Sequence, residues 1–381
     1  MCRKEVLHYL TVLTESAVRD LAQRWISPVV TSFYLDVDGS RYPRPSDYAP
    51  HVERLFRLAR GSAVAEGGDA VDAIEADLSR IAGWLGRDLE RGTTRGVAAF
   101  SCGALGLFEV FALPTSVRDQ VVVGPGPDVA QLCAVLYAGE QILAVAVDRQ
   151  RCRMLRLEHG EIEEREAPID AIERQVDTDV EVGSFERRHE ELARQHYRHV
   201  ASAVGAELER RPATSVVLFG PEDSVSRLEG YLPEHAMALV RGKLRLPVAS
   251  ERVECARAAS EVVRGAKVQR QRELIVELRE RSAESAAAVT GLGPALEALG
   301  TGRVGTLLVE DGYGPPGGRC PACGQLVPDS VPCTRCGATP IGVENVVDAA
   351  VTEAFTHRVE IEFCDASDLA GLGHIGAMDR W

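Results

Sequence analysis

The chain has 381 residues, enough for two or three domains that each bury a core. It is 45% hydrophobic, yet no apolar run approaches the roughly 18 residues a membrane-spanning helix needs. A formal net charge of −14 disfavours indiscriminate binding to nucleic acid.

Arg3, Lys4, Glu5 and Glu15 interrupt the apolar residues at the N-terminus, which makes a poor signal peptide. A cytoplasmic protein with no membrane partner is the expectation. Val29 to Val37 is β-branched and aromatic, the composition of a strand. Ile74, Leu78, Ile81 and Leu85 recur at helical spacing within 70 to 90. Gly96 to Cys102 and Phe108 to Leu113 return to strands, and Gly124-Pro-Gly-Pro breaks the chain. Residues 1–130 are therefore expected to form an N-terminal α+β domain.

A second domain is expected over 131–250. Ile142 to Val147 reads as a buried strand, and Arg151 to Leu157 pairs with Glu161 to Glu166 around a turn at His159-Gly160. A long helix over Phe185 to Arg210, a strand at Ser215 to Phe219, a short helix and a strand at Ala236 to Val240 complete it. Three meandering strands, a helix, a strand, a helix and a strand is the order of a ribonuclease H-like layered domain. Asp148, Glu190 and Asp223 then fall where nucleases of that fold gather carboxylates for divalent metals. A chain with 57 acidic residues supplies such a coincidence cheaply, and fold alone establishes no chemistry.

Residues 251–381 form the third expected unit, an α/β domain. A charged helix or helix pair runs over 251 to 288, and a short helix follows Gly291. Val304 to Val309 is strand-like. Val343, Val346, Val347, Ala350 and Ala354 mark one helix face, and Val359 to Phe363 is a strand. From Arg241 to Arg272 nine basic residues face three acidic ones. Arg241, Lys243, Arg245, Arg264, Lys267, Arg270 and Arg272 are the candidate RNA-binding residues of that island; a solvated helix face is the alternative.

Within this third unit Cys320-Pro-Ala-Cys323-Gly and Cys333-Thr-Arg-Cys336-Gly form two knuckles, inside an insertion spanning 318–340. Two thiolates two residues apart can bind one ion, and the following glycine lets the backbone turn beneath it. Two knuckles make the four-sulfur set of a structural zinc site, with Zn2+ as the expected cofactor. It is expected to clip a long crossover loop, otherwise costly to order. The other cysteines (Cys2, Cys102, Cys133, Cys152, Cys255, Cys364) read as reduced core thiols. His196 and His199, three apart, could share a helix face and hold a metal, although edge-of-core histidines are the simpler reading.

Gly302-Arg-Val-Gly-Thr-Leu-Leu-Val, the four-cysteine insertion, Glu344-Asn-Val-Val and Gly373-His-Ile-Gly-Ala-Met-Asp-Arg380 occur in that order. This resembles the C-terminal domain of archaeal and eukaryotic class-1 peptide-chain release factors and their relative Pelota. The resemblance extends more faintly over the whole chain, which looks like a divergent, bacterial-type member of that superfamily. It implies a tRNA-shaped protein with the ribosome (rRNA and tRNA) as partner and a translational GTPase as a further one.

Two signatures of the family are missing. No Gly-Gly-Gln occurs anywhere in the chain. The segment expected to hold it, Glu173 to Ser184, sets Glu173, Asp177, Asp179 and Glu181 against Arg174 alone, the wrong charge for an RNA-walled catalytic centre. Nothing like Asn-Ile-Lys-Ser, which helps read stop codons, lies between the first-domain helices; Gly67-Gly68-Asp69 there is in the wrong domain for the catalytic loop. The expectation is a release-factor-like protein of the ribosomal A site, acting in rescue, stalling response or hibernation, with no catalytic residue assigned. The alternatives are a divergent peptidyl-tRNA hydrolase, a metal-dependent nuclease and a zinc scaffold unconnected with the ribosome.

Overall fold

The computed structural model describes residues 10–23, 29–66, 68–158, 161–166, 182–284, 287–329 and 332–380. They fall into two compact units, one made of Met1–Ala138 with Leu274–Trp381, the other of Gly139–Glu273. The expected turn at His159-Gly160, the loop segment 173–181, Gly67 and Cys2 lie outside the described residues.

In the first unit the chain runs α1 (Glu15–Ala22), β1 (Val30–Asp36), α2 (Pro45–Glu66), α3 (Gly68–Arg87), β2 (Gly96–Cys102), β3 (Leu107–Leu113), β4 (Gln120–Gly124) and α4 (Ala130–Ala138). The strands form an antiparallel sheet in the order β3-β2-β1-β4. Every residue of β1 and β2 is buried because both faces of the sheet are covered. Phe33, Leu35, Val97 and Ala99 pack under α2 and α3. Their neighbours Val30, Tyr34, Ala98 and Phe100 point into a second core shared with α1 and α4. The Gly124 to Pro127 break precedes α4, which stays with this unit.

The second unit runs β5 (Ile142–Val147), β6 (Cys152–Glu158), β7 (Glu161–Glu166), α5 (Val182–Arg210), β8 (Ser215–Phe219), α6 (Glu222–Glu229), α7 (Glu234–Met237), β9 (Val240–Leu244) and the start of α8 (Arg252–Glu284). Strand order is β7-β6-β5-β8-β9, with β5, β8 and β9 parallel and the β6 and β7 partners antiparallel. This is the ribonuclease H-like topology. Leu143, Val145, Val147, Val216 and Leu218 face α5 and α6, while Ile142, Ala144, Ala146, Val217 and Phe219 face α8. The last strand lies beyond the expected Ala236 to Val240. Pro233 caps a helical turn with Glu234 in its first position, so residues 234–237 are helical.

The first unit is completed by the end of α8, β10 (Ala288–Thr290), α9 (Leu292–Gly300), β11 (Val304–Glu310), β12 (Gly317–Arg319), β13 (Leu326–Pro328), β14 (Ile341–Val343), α10 (Val346–Thr356), β15 (Glu360–Cys364), α11 (Ala366–Leu369) and β16 (Ile375–Asp379). A mixed sheet in the order β10-β16-β11-β15 packs Leu308 and Met378 on Leu274, Ile275 and Leu278 of α8. Its other face packs Leu307, Val309 and Ile361 with α9 and α10 in the core that α1 and α4 also enter.

Two expectations for this region are corrected. Val343 belongs to β14, since Asn345 accepts from the Val347 and Asp348 amides and so starts α10 after it. The cysteine insertion does not hang in a loop: its strands form their own sheet, β13-β12-β14. Leu326 and Val327 are buried, and Gln325 donates to the Leu296 carbonyl of α9 at 2.8 Å.

Candidate functional site

Cys320, Cys323, Cys333 and Cys336 converge, with all four Sγ atoms within 4.8 Å of one another. The Sγ–Sγ separations are 3.3 Å for Cys320–Cys336, 3.5 Å for Cys323–Cys333 and 3.7 Å for Cys323–Cys336. A tetrahedral ion with bonds of about 2.3 Å holds its sulfurs roughly 3.8 Å apart, so the set fits with small adjustments. Each knuckle closes the same way. The Gly324 amide donates to the Cys320 carbonyl and the Gly337 amide to the Cys333 carbonyl, at 2.9 and 2.7 Å. Both glycines have φ above +70°, the left-handed region that residues with a Cβ avoid. Burial opposes ionisation of Cys320. The backbone amides of Cys323 and Ala322 and the neighbouring thiols outweigh it and bring the thiol down to about 6. Four soft donors, two of them buried, suit a closed structural site.

The carboxylates considered for a nuclease are also near one another, but arginines separate them. Arg227 bonds Glu190 at 2.5 Å and Asp223 at 3.2 Å; Arg149 pairs with Asp223 at 3.2 Å and Arg151 with Asp148 at 3.0 Å. Asp148 and Asp223 line a cavity of about 570 Å3 beyond the carboxyl ends of β5 and β8, together with Arg149, Gln150, Arg151 and Ser224. A divalent ion there would have to displace the guanidinium groups that already neutralise its ligands. Among the described residues the four cysteines are the one group arranged to hold a metal.

His196 and His199 do not form a site. His196 is buried, its Nε2–H donates to the Asp148 carbonyl at 3.0 Å, and burial lowers its pKa. His199 is exposed. Cys102, Cys133, Cys152, Cys255 and Cys364 are all buried thiols.

The basic island divides between two faces. Leu244 packs toward α8, and a Cβ on Gly242 would lie 2.5 Å from Val262 of that helix. Alternation along β9 therefore sends Arg241, Lys243 and Arg245 to the opposite side. There Arg241 donates to the Ala238 carbonyl at 2.8 Å, Lys243 bonds Glu229 at 2.6 Å and Arg245 pairs with Glu222. On α8, Arg264, Arg270 and Arg272 are exposed and Lys267 is half-buried. Arg264, Lys267 and Arg272 make no ion pair among the described residues.

The charged cluster that sequence reasoning missed lies in the first unit. Arg118 Nη2 reaches both carboxylate oxygens of Asp348, at 3.1 and 3.2 Å, and Gln120 donates to the same group at 3.3 Å. Gln131 braces both donors, accepting from the Arg118 amide at 2.8 Å and donating to Gln120 at 2.7 Å. Burial, then the nearby Asp348 carboxylate, push the Asp128 carboxyl up to about 7, against Arg118 and Arg319. Some 220 residues separate Asp128 from Asp348, and no short motif announces the pair.

Residues 127–273 match the sequence profile of a family described as Bacterial archaeo-eukaryotic release factor family 10. Among curated proteins none matches. Three solved structures indicate the range of similarity. The archaeal translation termination factor aRF1 is 15% identical, with 97% of this chain and 99% of that one covered and a TM-score of 0.25. Archaeal Pelota, from a model of ribosome-bound Pelota and ABCE1, is 12% identical over 97% and 95% with a TM-score of 0.42. S. cerevisiae Dom34, a translation termination-like factor that interacts with Hbs1, is 10% identical over 72% and 73% with a TM-score of 0.41. No helix among the described residues is long and apolar enough to cross a membrane. The family match covers the ribonuclease H-like unit, and that part of the chain is similar to a bacterial release-factor family.

Proposed function

We propose that this protein is a release-factor-like, tRNA-mimicking factor that binds the ribosomal A site. The match of residues 127–273 to a bacterial release-factor family, in a chain with no Gly-Gly-Gln, is the observation that carries the reading. In the family that motif lets glycines adopt unusual backbone angles while the glutamine helps place water against the peptidyl-tRNA ester. The factor therefore acts by occupancy, in ribosome rescue, stalling response or hibernation, and in the cytoplasm. The four cysteines hold structural zinc: their thiolate set is the one Zn2+ takes in closed tetrahedral sites. The zinc-bearing domain offers the surface for a ribosomal-stalk or translational-GTPase contact.

Arg264, Lys267, Arg270 and Arg272 on α8 are the preferred RNA contacts, because three of them carry no internal ion pair among the described residues. Arg241, Lys243 and Arg245 are secondary candidates, since each already has a protein partner. Co-sedimentation with purified bacterial ribosomes across a salt series tests the reading. Stoichiometric binding to vacant ribosomes, lost when tRNA fills the A site, is expected. No binding at low salt, or binding indifferent to A-site tRNA, would sink it.

A further inference from the structure

Arg319 stands at the meeting point of three structures. It ends β12 immediately before Cys320, so its backbone is part of the entry to the first knuckle. Its guanidinium donates to the Gly324 carbonyl of that knuckle at 3.3 Å and to Glu353 of α10 at 3.2 Å. Its charge also favours the ionised form of Asp128, at the start of the segment that leads into α4. Arg319 and Glu353 are 18% and 15% exposed, so their attraction is only partly screened.

The charges around it do not balance without it. Arg118 pairs with Asp348 and Arg319 with Glu353, both cations favour the ionised form of Asp128, and the Arg118 side chain is 53% exposed. The same cluster seats the N-terminal sheet on α10. Arg118 and Gln120 hold Asp348, and the Val129 amide donates to Thr352 Oγ1 at 3.3 Å. Remove Arg319 and Glu353 keeps no ion pair among the described residues. A carboxylate left without its partner in a partly buried site then loosens the packing of α10 against the N-terminal sheet.

We propose that Arg319 makes the seating of residues 118–138 on α10 depend on the metal bound by the four cysteines. The metal, when bound, supplies the clip that fixes the two knuckles. Cys320 and Gly324 thereby hold the backbone and carbonyl that aim Arg319 at Glu353. Without that clip the knuckle frays, the guanidinium is released, and the packing of the N-terminal sheet on α10 loosens at a distance from the metal. Arg319 is a positioning residue that links metal occupancy to the arrangement of the first unit.

Amide hydrogen exchange on the full-length protein loaded with Zn2+ tests this. Chelation should speed exchange in peptides covering 118–138 and 346–356 by about tenfold, as well as in the cysteine region itself. Arg319→Met should give the same acceleration at 118–138 while still holding one zinc by elemental analysis. Adding Glu353→Gln to Arg319→Met should restore slower exchange, because it removes the carboxylate left without its partner. The proposal is overturned if chelation changes exchange only within 317–343. It is also overturned if Arg319→Met exchanges like wild type, or if the protein takes up no zinc.

Discussion

Arg118 and Asp348 lie 230 positions apart in sequence, yet the guanidinium touches both carboxylate oxygens within 3.2 Å. The contact joins the approach to β4 with the first turn of α10. It is a charged tie between the two stretches of chain that make up the first unit. Asp348 is 10% exposed on its side chain and has little access to water as a substitute partner.

Arg118→Ala should therefore destabilise the protein by about 1–2 kcal/mol, below the cost of breaking a fully buried pair because Arg118 is itself half-exposed. Urea unfolding measures it. A change under a few tenths of a kcal/mol would mean that Gln120 alone satisfies Asp348.

The Asp128 carboxyl, raised to about 7 by burial and by Asp348, gives a pH signature. A carboxyl whose folded pKa is raised favours the native state most when protonated. Its contribution is full below the unfolded-state value near 4 and is lost as pH rises through about 7. Asp128→Asn should remove that component, so the mutant's stability should change less than wild type's between pH 6 and 8. Parallel urea midpoints at the two pH values would reject this if the curves kept a constant offset.

Cys333→Ser should lower metal affinity by more than the roughly 10–100-fold typical of changes outside the ligand set. Competition with a chromogenic chelator measures the change. Unaltered affinity would place the fourth ligand elsewhere. Because Leu326 of the same small sheet lies in the core with α10, thermal stability should fall along with the metal.

Reversing Arg264, Lys267 and Arg272 to Glu should weaken ribosome binding and flatten its dependence on salt, by roughly 0.7–0.9 in slope for each phosphate left without its cation. Reversing Arg241, Lys243 and Arg245 should do less to the slope and more to the fold, since Glu229 and Glu222 lose their partners. Equal effects from the two triple variants would remove the distinction between the faces.

What could be read from sequence follows from how local the cause is. Ile142 to Val147 and Gly96 to Cys102 announce themselves because strands covered on both faces are apolar throughout. The knuckles are legible from spacing alone, since the metal is bound by residues close in the chain. β9 was placed too early because its outward positions carry Arg241 and Lys243 and Gly242 interrupts its inward ones, a pattern that hides a strand behind charge. The small sheet around the cysteines was missed because strands of three residues have no period to detect. The cluster of Asp128, Asp348 and Arg319 was beyond reach for a different reason. Each residue is ordinary where it stands, and only tertiary folding brings them together.

Gln325 and Leu326 change what the cysteine insertion is for. The glutamine amide reaches the Leu296 carbonyl at 2.8 Å, and the leucine fills space beside α9 and α10. Cutting the segment back to a plain crossover would leave a void under two helices and remove a buried side-chain bond to α9. A version of this protein that dispensed with metal could not simply drop four sulfurs. It would need a new plug for the cavity between α9 and α10, so the ribbon is a keystone of the domain that contains it.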